Sequence, residues 1–363
     1  MGHIAAAQGA PCPTLVLDGR DLPADREALD AALGVARASL RAAGMGHVLK
    51  IALISPSSHP MFDLSYRFVQ CIPDPAGERF DHLGSCGHSI VASTLIADQL
   101  AWVPRLAPGH RIRVDVVNNN DRVVCEVEEV RRTGGDLTVH FLHEPGIPLP
   151  ELLITGAPVE TLRVGSREHR VSLVSMGNPY VFVRADSLGV HSRAELFADD
   201  PGLFEAMVAL RHHAAARWGW PATSAFPKIA VVGHLTPGHI SVRAVSVPWW
   251  HPTLALTGAT CLAAAAVVPG TVVHEVAREA GTAAGTAAGQ TAAGQLDIET
   301  PGGTVAAIPV LRGTADAPHL SWVSVAGKRA HYVGALTVEL PERCFPVHSR
   351  RKEPKPWRPV VTV

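Results

Sequence analysis

A cysteine in a glycine-rich turn, Gly84-Ser85-Cys86-Gly87-His88, stands directly before residues 89–100, a run that is apolar almost all round. A helix opening there carries partial positive charge and free N–H groups in its first turn, which bind carboxylates and lower a thiol's pKa. Cys86 would then give or take a proton, with Gly87 letting a ligand approach the backbone. The alternative is a structural thiol in a tight turn. Lys50 lies inside the apolar run Val48-Leu49-Lys50-Ile51-Ala52-Leu53. Strand alternation alone favours a solvent-facing side chain. In a cleft, desolvation would instead depress its pKa and make it a usable base. A second turn, Thr257-Gly258-Ala259-Thr260, opens another apolar helix over 261–268. Two such helix starts converging on one cleft would hold a di- or tricarboxylate from both sides.

Other chemistries find little support. The nineteen histidines form no His-Glu-x-x-His and no His-x-His, and His212-His213 lie adjacent in an apparent helix, so their side chains diverge. No metal is expected. Gly44-Met45-Gly46 precedes a strand instead of following one, which argues against a nucleotide-binding turn. The six cysteines, Cys12, Cys71, Cys86, Cys125, Cys261 and Cys344, are far apart, with no Cys-x-x-Cys pair. They read as reduced thiols that pack as small hydrophobes, Cys86 excepted.

Composition bounds the rest. Lys+Arg 32 against Asp+Glu 33 leaves a formal net charge of −1, so the basic surplus of a nucleic-acid or membrane-surface protein is missing. A small anionic substrate remains compatible, because a few local donors suffice. The apolar fraction of 47% provides ample core, and scarce aromatics (Phe 9, Trp 7, Tyr 3) leave Ala, Val and Leu to fill it. No window reaches the ~18 apolar residues of a transmembrane helix. The N-terminus lacks a basic start followed by an apolar run, so the expected location is cytoplasmic.

The elements that must position these residues follow from periodicity. Residues 13–17, 48–54 and 66–71 read as strands, with a helix over 21–43 between the first two. Strands recur at 111–117, 123–129 and 137–142, then at 171–174, 180–183, 228–232 and 240–245. Each half places strands about one buried helix, which predicts a pseudo-symmetric α+β protein with a cleft between its halves. The expected division is 1–170, 171–345 and a tail, 346–363. The repetition is architectural, without convincing sequence identity between the halves. Residues 279–295, built from Ala, Gly and Thr, read as a surface excursion, and Arg350 to Pro356 as a solvated basic tail.

The order of segments resembles the PrpF-type isomerases, the methylaconitate and methylitaconate isomerase group of the diaminopimelate-epimerase-like fold. Gly9–Pro23 is similar in shape to that family's opening Gly-Gly-Thr-Ser-Lys-Gly segment and its following Arg-Asp-Leu-Pro. Leu49-Lys50-Ile51-Ala52 resembles its Ser-Lys-Val-Ala strand, and Ser65 to Gln70 its Asp-Tyr-x-Phe-x-Gln strand. Cys86-Gly87-His88 stands where the family has Cys-Gly-Asn. Asn118-Asn119-Asn120 resembles Asn-x-Asn-Thr, Gly177-Asn178-Pro179 a Gly-Asn-Pro turn, and Pro227-Lys228-Ile229 a Pro-Lys-Ile strand. His251 through Thr257-Gly258-Ala259, and Pro269-Gly270-Thr271, resemble His-x5-Thr-Gly-Ala and Pro-Gly-Thr. Pro301 and Gly303 resemble His-Pro-Ser-Gly.

The resemblance implies two strand barrels, each wrapped around a central helix, with a cofactor-free site between them. It implies proton transfer beside a carboxylate, shifting a C=C bond or tautomerising an oxo acid, with Lys50 and Cys86 as the transfer groups. It places Ser55, Gly87, His88, Asn118, Asn120, Asn178, His251, Thr257, Gly258 and Gly303 against a small carboxylic-acid substrate. The family's Thr-Ser-Lys is here Pro11-Cys12-Pro13, Asn has become His88, and the His of His-Pro-Ser-Gly has become Thr300, with Gly302 for the Ser. This pattern suggests a divergent member with a different substrate, in which His88 acts as a donor or titrates near neutral pH. A racemase or epimerase would need two opposed thiols, and the second half offers Thr257 with Cys261 one turn on. A non-catalytic binding protein is the other alternative, and a homodimer is left open.

Overall fold

The computed structural model describes residues 1–74, 77–221, 224–246, 249–282, 294–314 and 316–338. The tail from 346, most of the Ala-Gly-Thr segment and Cys344 lie outside the described residues. The first half contains β1 (Gly2–Ala7), β2 (Thr14–Asp18), α1 (Arg26–Ala42), β3 (Lys50–Pro56), β4 (Leu64–Ile72), β5 (Arg79–Asp81), α2 (Gly87–Gln99), β6 (Arg111–Val116), β7 (Asp121–Arg131) and β8 (Gly134–Pro148). The second contains β9 (Glu160–Val164), β10 (Arg167–Met176), β11 (Asn178–Arg184), α3 (Arg193–Phe197), α4 (Pro201–Trp218), β12 (Lys228–Gly233), β13 (Ile240–Ser246) and β14 (Trp249–Trp250). It continues through α5 (Leu256–Val267), α6 (Val272–Glu279), β15 (Leu296–Thr300), β16 (Gly303–Thr314) and β17 (Ala317–Leu336). No single described helix is long and apolar enough to cross a membrane.

The protein is mixed α+β and dominated by sheet. In the first half the strands pair in a closed ring, β1-β2-β3-β4-β6-β7-β8-β17 and back to β1. The second half runs β10-β11-β12-β13-β15-β16 and continues onto the first residues of β17. That one long strand therefore serves both halves. The parallel pairs show the repeat: β2 with β3 and β4 with β6 in one half, β11 with β12 and β13 with β15 in the other. Helices cross over between the same members each time, α1 between β2 and β3, and α3 with α4 between β11 and β12.

Alternation along the strands sorts the core into layers. From β2 and β3, Val16, Ala52 and Ile54 point inward to a large core around α2 and α5, while Leu15, Ile51 and Leu53 point outward. The outward set is covered by α1, whose Leu29, Ala32, Leu33, Ala36 and Leu40 recur at helical spacing. Asp25 caps that helix by accepting the Ala28 N–H at 2.9 Å. The central helices need no polar face: α2 is buried from Gly87 to Ala97 and α5 from Leu256 to Ala266. Both begin earlier than their sequences suggest, at Gly87 instead of 89 and at Leu256 instead of 261. Gly87 and Gly258, which read as turn residues, lie inside the first helical turns.

Candidate active site

Lys50, the first residue of β3, and Cys86, the residue capping α2, line one cavity of about 60 Å³. Their exposures are 6% and 8%. The solvent-facing orientation that alternation favours for Lys50 is not found. Both faces of β3 are covered, one by α1 and the other by the inner core, and Lys50 shares the inner face with Ala52 and Ile54. Burial pushes the Cys86 thiol up, but the adjacent Lys50 ammonium and the Ser89 hydroxyl and amide outweigh it, leaving the thiol below its ordinary range. Ser89 is itself held by Thr14, hydroxyl to hydroxyl at 2.9 Å. Tyr66 fixes the turn by donating its hydroxyl to the Cys86 carbonyl at 3.2 Å. Cys71 and Cys125 show the contrast, since burial pushes each up to about 11.

Both central helices present their N-termini to this cavity, which Ser85, Cys86, Ala255 and Thr257 help to line. Neither has a side-chain cap, whereas α1, α3, α4 and α6 are capped by Asp25, Ser192, Asp200 and Thr271. First-turn N–H groups at α2 and α5 are thus left for a ligand. Gly87 also meets a packing requirement. A Cβ there would lie 2.5 Å from the Leu256 Cβ, so this glycine lets the starts of α2 and α5 abut. Gly258 likewise makes room for Tyr180, whose hydroxyl would stand 2.6 Å from an added Cβ. Asn178 ties the two helix starts together. It accepts the Ser85 N–H at 3.2 Å and donates to the Ser85 carbonyl at 2.9 Å and to the Thr257 hydroxyl at 3.1 Å. Both amide protons are engaged, so Asn178 lines the cavity as a brace.

His251 lines the same cavity and His88 stacks behind it, ring centroids 6.0 Å apart. The Nδ1 of His251 accepts the Thr253 N–H at 3.2 Å, which puts the proton of its neutral ring on Nε2. Burial, then Lys50, pushes His251 down to about 3. Burial, Lys50, His251 and Lys328 together push His88 well below the usual imidazole range. The expectation that His88 titrates near neutral pH is therefore corrected, with burial as the main cause and the lysines adding to it. Both of its ring nitrogens are buried without a hydrogen-bond partner among the described residues.

Four expected residues lie elsewhere. Ser55 sits five residues along β3 from Lys50 and so on the strand's other face. Asn118 donates to the Phe68 and His82 carbonyls at 2.8 and 2.6 Å and accepts the Phe68 N–H at 2.7 Å, a structural clasp. Asn120 is exposed at a turn with φ 59°. Gly303 is exposed beside β15, where Gly302 packs against Pro252 and Thr253. Conversely, Lys228, Phe226, Tyr180, Gln70 and Asp81 line the cavity without having been singled out as site residues. A larger groove of about 1080 Å³ adjoins through Asp81. Its side chains are already paired, Arg26 with Asp30, Arg41 with Glu78 and Arg79 with Asp74.

Comparison with known proteins agrees with this architecture. The chain is 26% identical over 313 residues to 3-methylitaconate isomerase of Eubacterium barkeri, covering 73% of this chain and 81% of that protein. It is 27% identical over 292 residues to (4E)-oxalomesaconate Delta-isomerase of Novosphingobium sp. (strain KA1), covering 71% and 78%. The crystal structure of methylitaconate-delta-isomerase superposes with a TM-score of 0.61 at 22% identity, covering 92% of this chain and 94% of the other. A hydroxyproline epimerase from Agrobacterium vitis gives 0.58 at 15% identity, covering 92% of each. These neighbours share the diaminopimelate-epimerase-like fold. Residues 17–315 match the model of the PrpF protein family, and the chain belongs to that family.

Proposed function

We propose that this protein is an isomerase that relocates a proton within a small unsaturated or oxo carboxylic acid, without a cofactor, using Lys50 and Cys86. The observation that carries this reading is the thiol held below its ordinary range by Lys50 at the wall of a cavity facing two uncapped helix starts. In the proposed step the pair reacts as thiolate and ammonium. The Cys86 thiolate takes an allylic or α proton, forming S–H as the C–H bond breaks, and the electron pair moves into an enolate-like carboxylic acid. First-turn N–H groups of α2 and α5 stabilise that charge. The Lys50 ammonium returns a proton to the distant carbon, and the Cys86 thiol then reprotonates Lys50. The names of the relatives, isomerases of methylitaconate and oxalomesaconate, favour a C=C shift in such an acid.

Racemisation with two opposed thiols fits less well. The second thiol, Cys261, turns away from the cavity to the backbone of Met176 and Asn178, accepting the Met176 N–H at 3.2 Å and facing the Asn178 carbonyl at 3.0 Å. Burial pushes it up strongly. The test is solvent-deuterium incorporation into a panel of unsaturated and oxo mono- and dicarboxylic acids, read by proton NMR. Wild type should exchange at least one member, and Cys86→Ser should lose on the order of 100-fold or more in rate, the usual worth of a positioned acid or base. A wild-type rate in Cys86→Ser would remove the thiol from the mechanism.

A further inference from the structure

The duplicated architecture puts a second lysine opposite the first. Lys50-Ile51-Ala52 opens β3, and Lys228-Ile229-Ala230 opens β12. Each lysine is the first residue of a strand running parallel to the one before the crossover, Lys50 beside Thr14 and Lys228 beside Tyr180. Both line the same cavity, one from each half. Their surroundings differ. Lys50 has the Cys86 thiol as a neighbour. At the start of α5 the second half offers the Thr257 hydroxyl, already bonded to Asn178, and its own thiol faces backbone.

Lys228 is consequently a cation without an anion in contact. Among the described residues it forms no hydrogen bond or ion pair, and its Nζ stands 5.2 Å from the centroid of the Phe226 ring. The one carboxylate lining the cavity, Asp81, lies beyond ion-pair distance and accepts the Leu83 N–H at 2.8 Å. Burial, then the Arg211 guanidinium, pushes Lys228 down to about 8, with Lys50 adding to the strain and Asp81 and Cys86 opposing it. Arg211 is itself anchored on the Ser224 carbonyl at 2.5 Å. A half-buried ammonium facing other cations is stabilised when an anion joins it. The uncapped start of α5, with Thr257 in its first turn, adds backbone N–H donors on the same side.

We infer that Lys228 anchors a second carboxylate of the substrate, across the cavity from the carbon that Lys50 and Cys86 serve. The inference rests on the isomerase reading above for what happens at that carbon. It makes the protein selective for dicarboxylates over monocarboxylates of equal length, and it makes Lys228 a binding residue that takes no proton from carbon.

The experiment uses the full chain and needs no turnover: protection of Cys86 from iodoacetamide by succinate or by butyrate. In wild type, succinate should protect at a concentration at least tenfold below butyrate. Lys228→Met should erase that advantage and leave butyrate protection unchanged, while Lys228→Arg, which keeps the charge, should retain most of it. With any exchanging dicarboxylate, Lys228→Met should raise KM at least tenfold and leave kcat nearly unchanged. Equal protection by the two acids in wild type would overturn the anchor, as would succinate protection that survives in Lys228→Met. Loss of both protections in Lys228→Met with Lys228→Arg intact would also overturn it, by making the charge a general requirement of the cavity. Because protection is read without catalysis, the anchor can stand where deuterium exchange fails, and exchange can stand where the anchor fails.

Discussion

Replacing Lys50 with Met removes the charge that offsets the burial of Cys86. Two opposite unit charges at about 4 Å interact by roughly 4 kcal/mol at an effective dielectric constant near 20, and a contact pair of this kind shifts a pKa by about 1–3 units. Taking about two units, the thiolate fraction near pH 7.5 should fall by up to about 100-fold. What remains in Lys50→Met is burial, opposed only by the Ser89 hydroxyl and amide. The thiol should then rise above its ordinary range, toward the value of about 11 that burial gives Cys71 and Cys125. The assay is the second-order rate of iodoacetamide labelling against pH, resolved cysteine by cysteine by peptide mass mapping. Wild-type Cys86 should label much faster than Cys71 and Cys125, and Lys50→Met should move its inflection up by about two units. Continued silence of Cys71 and Cys125 reports that the variant is folded. The neighbouring imidazoles do not confuse the reading, because His88 and His251 are held neutral through this range. An inflection that stays put in Lys50→Met would refute the argument and assign the low pKa to Ser89 and the helix start alone.

Gly87→Ala should destabilise the fold by about 1–3 kcal/mol, because its Cβ would sit 2.5 Å from that of Leu256 between two buried helices. Thermal melting reads this, and an unchanged melting temperature with lost ligand binding would point to the ligand-approach role instead. Asp121 is pushed up by burial to about 6, against its Asn119 hydrogen bond. The folded carboxyl therefore binds more protons than the unfolded one, so the stability Asp121 contributes should be lost as pH rises from about 4 to about 6 and stay lost above. Two units correspond to about 3 kcal/mol. In urea titrations at pH 4 and pH 7, Asp121→Asn should gain stability relative to wild type on going from the lower pH to the higher, and an identical pH dependence in the two proteins would remove Asp121 from it.

Residues that sequence alone reveals are those whose own type constrains them. The helices α2 and α5 were legible because a run apolar on every face has nowhere to lie but inside. β1, by contrast, is Gly-His-Ile-Ala-Ala-Ala, too weakly alternating to announce a strand, and becomes one by filling the gap between β2 and β17. Its pairing closes the ring. The helix starts were misplaced because glycine reads as a breaker, yet at Gly87 and Gly258 it is the neighbouring element, Leu256 or Tyr180, that requires the missing side chain. Such a requirement lies in a contact between segments far apart in sequence.

The same distinction separates the site residues. Asn118, Asn120 and Asn178 are equivalent as letters, but one clasps β4, one turns at the surface and one binds two helix starts together. An amide's partners are fixed only in three dimensions. Lys228 stands in the sequence only as part of a strand motif, since Lys-Ile-Ala is too short a repeat to mark a site until the parallel strand pairs align the halves. Once aligned, the halves share architecture and diverge in chemistry. One contributes a lysine with a thiol beside it, the other a lysine with a hydroxyl already committed to Asn178 and a thiol facing backbone. A racemase needs equivalent acid–base groups on both faces of one carbon. A 1,3-shift needs proton transfer on one side and a firm hold on the other, and the unequal halves of this cavity favour that division of labour.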